Sequence, residues 1–182
     1  MISLSEQHEM EELYTDISIH TDTTDLDAII GFDWGSPELD EAMSPLVDFA
    51  KEIRNEIETA SSETVKVLAD RLRSLQELRI ALNGNIAKGN LINSIKVEPI
   101  SENEYFVGTD IAHFYPLCIE YGRGDVYPIN FKYLHYFTLS GVEVFSKHSK
   151  PSKPYPFVAP SFESVVSDVE SVFGGCLDNA SN

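Results

Sequence analysis

Between residues 44 and 82 apolar side chains recur every three or four positions, and no other feature restricts the fold of this 182-residue chain as strongly. Leu46, Phe49, Ile53 and Ile57 open the series, and Val65, Leu68, Leu72, Leu75, Leu78 and Leu82 continue it. A 3.6-residue repeat sets such positions along one stripe of an α-helix, and that stripe needs a partner to cover it. Ser44-Pro45 precedes the series, a capping hydroxyl followed by a proline suited to a first helical turn. Asn83-Gly84 follows it and suits a helix end. The pattern slips near Ser61-Ser62, so the spacing predicts one long helix or two in series.

Strand signals come next. Residues 94–100 alternate, with Ile95 and Val97 on one face and Lys96 and Glu98 on the other. Residues 101–104 read as a turn and 105–108 as the returning strand, which makes a hairpin. Residues 115–121 read as a short helix, with Pro116 in its first turn and Gly122 at its end. Residues 133–139 and 142–145 form a second hairpin across Ser140-Gly141. Residues 146–156 read as a loop with Lys147, Lys150, Lys153, His148 and three prolines, the most basic patch of the chain. A last helix starts at Pro160, turns Phe162, Val165, Val166, Val169 and Phe173 to one side, and ends at Gly174-Gly175. The order predicts an α+β fold, an antiparallel sheet of two hairpins packed by a long N-terminal helix and a C-terminal helix.

Charge divides the chain differently. No Lys or Arg precedes Lys51, so the first fifty residues hold −13 of a net −17. Residues 1–43 read as an acidic N-terminal arm, residues 44–175 as the α+β domain and residues 176–182 as a flexible tail. The arm is either a solvated tail or a segment that docks its apolar residues on a neighbour; Trp34 favours docking, because solvation does not need an indole. The acidic balance argues against tight nucleic-acid binding, yet suits a wall past which DNA slides. Hydrophobic residues make up 42 %, with ten Phe and eight Tyr, so the chain has the means to build a core.

Catalytic patterns are missing from the sequence. It has no P-loop, dinucleotide-binding glycine pattern, HExxH or GxSxG. The five histidines show no metal-ligand spacing; His135 reads as a packed strand residue and His113 as a loop residue at a subunit contact. TDTTDLDAIIG lacks the ligand spacing of a calcium loop. Cys118 and Cys176 read as reduced and structural. The expectation is a protein without enzymatic activity, metal or cofactor, with no membrane span or signal peptide, made in the cytoplasm. Glu120, in CIEYGRG, reads equally as a surface partner of Arg123 or as an interface carboxylate that caps or bridges a neighbour.

Three stretches resemble the tail-component family of long-tailed bacteriophages, whose members are tail-completion or neck proteins. GNLINSI (residues 89–95) is similar to the family's TG-x-L-x-x-S-I element, with Lys88 where Thr is usual. VGTDIAHFYPLCIEYGRG (107–124) is similar to VGT…YA-x-Y-V-E-x-G-T, with Glu120 and Gly122 in register and Pro116 in place of Ala. SKPYPFVAPSFESVV (152–166) is similar to the closing xRPFxxPA segment through Lys153, Pro156, Phe157 and Pro160, with a one-residue shift near Tyr155. With the spacing between them the three span about half the chain in the family's order, and the stretch up to Met43 has no counterpart.

The resemblance implies a structural virion protein that forms a homo-oligomeric ring, usually a hexamer. That ring would join the tail tube protein to the head-closure (connector) protein and let DNA pass without specific binding. Its place is the virion neck, after assembly in the host cytoplasm. A head-closure protein, a minor tail protein and a tail assembly chaperone are the alternatives. Trp34, Glu120, Arg123, Lys147, Lys150, Lys153 and Phe157 are the expected interface residues. The basic loop at 146–156 and the acidic segment before Ser44 are expected to attract each other, in a contact that weakens as salt rises.

Overall fold

A computed structural model describes residues 14–84, 90–109, 114–137 and 140–181. Its elements run β1 (Tyr14–Ser18), α1 (Thr24–Ile30), α2 (Pro37–Leu82), α3 (Asn90–Ser94), β2 (Ile95–Ser101), β3 (Glu104–Thr109), α4 (Phe114–Glu120), β4 (Leu134–Phe137), β5 (Glu143–Ser146), α5 (Ala159–Val166) and α6 (Val169–Ala180). The fold is α+β, with a long helix near the N-terminus, antiparallel strands and helices at the C-terminal end.

The long helix starts before the Ser44-Pro45 signal. Ser36-Pro37 carries the same signal earlier, and the Ser36 hydroxyl accepts the Leu39 N–H at 3.3 Å. Pro45 consequently lies inside α2. The helix then runs unbroken through Ser61-Ser62 for 46 residues, about 69 Å at 1.5 Å per residue. The apolar spacing slips there because small residues, Ala60, Ser61 and Thr64, take over the buried face. The Ser61 and Thr64 hydroxyls donate to the Ile57 and Ala60 carbonyls at 2.7 and 2.6 Å, so burying them leaves no orphaned donor. Asn83 and Gly84, at φ +72°, end the helix where the sequence indicates.

β2 and β3 form the first expected hairpin, and β1 adds a third strand that the composition hid. Tyr14–Ser18 pairs antiparallel with β3, giving the order β1-β3-β2. Thr15, Ile17 and Ile19 alternate with Asp16 and Ser18, and all three are buried. The acidic segment is therefore not a separate arm from its first described residue onward. Ile17 and Ile19 join Val65, Leu68, Leu72, Val107, Val165 and Val169 in the main core, where α2 meets both the sheet and the C-terminal helices.

The C-terminal region also departs from expectation. The single helix is two, divided at Ser167-Asp168, and α6 continues through Gly174-Gly175 to Ala180. Val165, Val169 and Cys176 are buried while Val166 is exposed, and Arg71 on α2 pairs with Asp168 at 2.9 Å. Packing against α2 overrides the two glycines, so residues 176–180 are helix rather than a loose tail. Both cysteines are free thiols.

The second hairpin is present, with Leu134 opposite Ser146 and Gly141 at φ +79° in its turn region; Thr138 and Leu139 lie outside the described residues. It does not extend the first sheet. It forms a two-stranded sheet of its own, connected to the body by paired extended segments around residues 123–126 and 149–152.

Candidate functional site: a buried joint and an exposed ribbon

The site begins at the start of α5, a helix without a capping side chain of its own. Pro160 sits in the first turn and brings no N–H, which leaves the N–H groups of Phe157, Val158 and Ala159 to be satisfied. Glu120, at the end of α4, satisfies all three: Oε2 accepts from Phe157 at 2.6 Å and Val158 at 3.0 Å, and Oε1 accepts from Ala159 at 3.2 Å. The carboxylate is 3 % exposed. Its negative charge also lies at the positive end of a helix dipole. Glu120 is thus a cap supplied from a distant part of the same chain, and neither a surface partner of Arg123 nor a group facing a neighbour.

Gly122 fixes the path of the chain beyond Glu120. It holds φ +74°, and a Cβ there would lie 2.7 Å from the Ser152 carbonyl oxygen and 2.9 Å from the Pro154 nitrogen. Only glycine allows both the conformation and the close approach. The two segments then pair: Arg123 and Ser152 exchange backbone hydrogen bonds at 3.2 and 2.9 Å, and Val126 and Ser149 do so at 3.0 and 2.9 Å. The Arg123 guanidinium donates to the Ser149 hydroxyl at 2.6 Å. Below this ladder a second core gathers Ile80, Leu91, Ile95, Ile119, Phe157 and Val158. Phe157, expected at an interface, is instead one of its fully buried side chains.

This joint collects residues from all three stretches that resemble the tail-component family. Leu91 and Ile95 come from the first, Ile119 and Glu120 from the second, Phe157 and Val158 from the third. The Ser94 and Thr109 hydroxyls hydrogen-bond to each other and tie the first stretch to the second.

The joint carries a ribbon of opposite character. The described residues of 127–137 and 140–148 form β4 and β5 and the segments flanking them, and they leave Ile129 95 % and Phe131 80 % exposed. Phe137, Val142 and Phe145 are exposed as well. Tyr127, Ile129, Phe131, Tyr133, His135 and Phe145 line an open groove along it. His135 is exposed rather than packed inside; it stacks on Phe145 with centroids 4.7 Å apart and bonds Glu143 at 2.8 Å. His148 stacks on Tyr127. The three lysines singled out from the sequence, Lys147, Lys150 and Lys153, are exposed at the ribbon's base. The YPINF segment escapes a reading by periodicity because it has neither a helical nor a strand repeat. Its signal is the density of large apolar residues around a proline.

Trp34 lies on the connection into α2, half-buried, with its ring 4.5 Å from that of exposed Phe32. His113 falls outside the described residues. Among the described residues no group of His, Cys, Asp and Glu is arranged to hold a metal ion, and no helix is long and apolar enough to cross a membrane. No protein-family model, curated protein or solved structure matches the chain.

Proposed function

We propose that this chain is a structural subunit of a bacteriophage particle: a tail-completion or neck protein that builds a ring between the tail tube and the head-closure proteins. One observation carries the reading. The three stretches resembling that family converge on a single joint made of a buried cap, a close-approach glycine and a shared core, the first two meeting across the β2–β3 hairpin and the third through Glu120. The exposed aromatic ribbon adds support, since a contiguous apolar surface of this kind marks a contact with another protein. The net charge of −17 suits a ring whose lumen must not hold passing DNA.

The test is incorporation. Purified protein is mixed with tail tubes that lack their terminal ring, and the product is examined by sedimentation and particle reconstruction. Ring density at the head-proximal end of the tube supports the proposal. A protein needed to build tails yet absent from finished particles is an assembly chaperone instead.

A further inference from the structure

The geometry points to a specific head-to-tail contact between copies of this chain, in which the aromatic ribbon of one subunit lies on the acidic α1–α2 end of the next. The ribbon is one half. Residues 127–153 hold Lys132, Lys147, Lys150 and Lys153 against Glu143 alone. Glu143 is already engaged by His135, and among the described residues no carboxylate pairs with any of these lysines. The ribbon is therefore both apolar and positively charged in a chain of the opposite sign.

The other half is the exposed end formed by α1 and the first turns of α2. Phe32, Leu39, Leu46 and Phe49 are exposed there, and Ala50 is the first fully buried residue of α2. Residues 22–58 hold eleven Asp and Glu against Lys51 and Arg54. Both cations are taken: Lys51 by Asp48 at 3.4 Å, and Arg54 by Asp27 at 3.1 Å and Glu58 at 2.9 Å. An apolar stripe bordered by uncompensated carboxylates matches an apolar groove bordered by lysines. Charge of this kind selects the partner and its register, while the aromatic surface supplies the attraction.

The two surfaces differ, so each subunit offers one to each neighbour. Such heterologous pairing closes into a ring when the rotation between subunits allows. The inference rests on the proposed function only in requiring copies of the chain to meet, and it holds in any particle.

Charge reversal tests it on the full chain. One variant carries Lys147→Glu, Lys150→Glu and Lys153→Glu; the other carries Asp40→Lys, Glu41→Lys and Asp48→Lys. All six positions are exposed, so both variants should keep the wild-type circular dichroism. Sedimentation equilibrium should show the wild type as a multiple of 20.4 kDa and each variant alone as a monomer. Mixed in equal amounts, the reversed ribbon meets the reversed helix end, and the wild-type mass should return in alternating assemblies. A monomeric wild type, a variant that assembles alone like the wild type, or folded variants that stay monomeric when mixed would each overturn the contact. Rings that persist in both variants overturn the contact and leave the neck reading intact. A wild type that assembles through the ribbon yet never joins tail tubes supports the contact and removes the neck reading.

Discussion

Replacing Glu120 by Ala removes the acceptor for three N–H groups at once. Hydrogen bonds to a charged group contribute about 1.5–3 kcal/mol each, and a buried donor left without an acceptor costs about 1–3 kcal/mol. The three donors are adjacent and share one carboxylate, so their losses do not add in full; about 4 kcal/mol is the expected cost, including the helix dipole. Glu120→Gln separates hydrogen bonding from packing. The Gln carbonyl can occupy the Oε2 position and keep Phe157 and Val158, while its NH₂ meets the Ala159 N–H donor to donor. The expected cost is about 2 kcal/mol, one lost charge-assisted bond plus a weakened dipole contact. Urea unfolding followed by far-ultraviolet circular dichroism measures both, with the slope showing whether unfolding stays two-state. Domains of this size are stable by about 5–15 kcal/mol, so the Gln variant stays folded and the Ala variant loses a large share. A Gln variant within about 0.5 kcal/mol of the wild type, or one that costs as much as Ala, would refute the cap as the source of the stability.

Gly122→Ala must hold a positive φ and push a Cβ against the Ser152 carbonyl, so a loss of about 2–4 kcal/mol in the same urea assay is expected. Leu72→Ala, in the main core, should cost about 3 kcal/mol, whereas Leu78→Ala on the same helix should cost under about 1 kcal/mol because that side chain is exposed. Desolvation, and then the Glu104 carboxylate, hold the Asp16 carboxyl above its usual range. A carboxyl raised in this way disfavours the fold once it ionises. Asp16→Asn should therefore raise the urea midpoint slightly near neutral pH, and the gain should vanish as pH falls through the carboxylate range.

The helical periodicity of 44–82 sufficed to place α2, because its length leaves no competing period. Its start is ambiguous in the sequence because two Ser-Pro pairs carry the same signal, and in the fold it is the earlier one whose hydroxyl caps the helix. β1 is hidden by composition: Thr15, Ile17 and Ile19 alternate correctly, but the acidic residues around them read as an arm separate from the domain. The glycines in α6 misled for a related reason, since local propensity is worth about 1 kcal/mol per residue and tertiary burial outweighs it. Glu120 stands out in the sequence, but its role depends on a segment 37 residues away, a contact that no local pattern encodes. Arg123 and Phe157, expected at an interface, are likewise engaged within the subunit, Arg123 by the Ser149 hydroxyl and Phe157 in the second core.

The joint and the ribbon have to be understood together. Leaving Phe131, Phe137, Phe145 and Ile129 in water forgoes about 1.5–3 kcal/mol for each side chain that burial would return. A ribbon hung on a flexible loop would also lose much of its contact energy to ordering on association. Here the base is fixed: Glu120 fastens one segment to the start of α5, Gly122 lets the two segments touch, and paired backbone bonds extend the fastening to Val126 and Ser149. Loosening that base with Glu120→Gln, a change remote from the exposed aromatics, should therefore weaken self-association even where the subunit stays folded. If assembly proves indifferent to the base while remaining sensitive to the ribbon's lysines, the ribbon binds as a flexible tether and the joint serves stability alone.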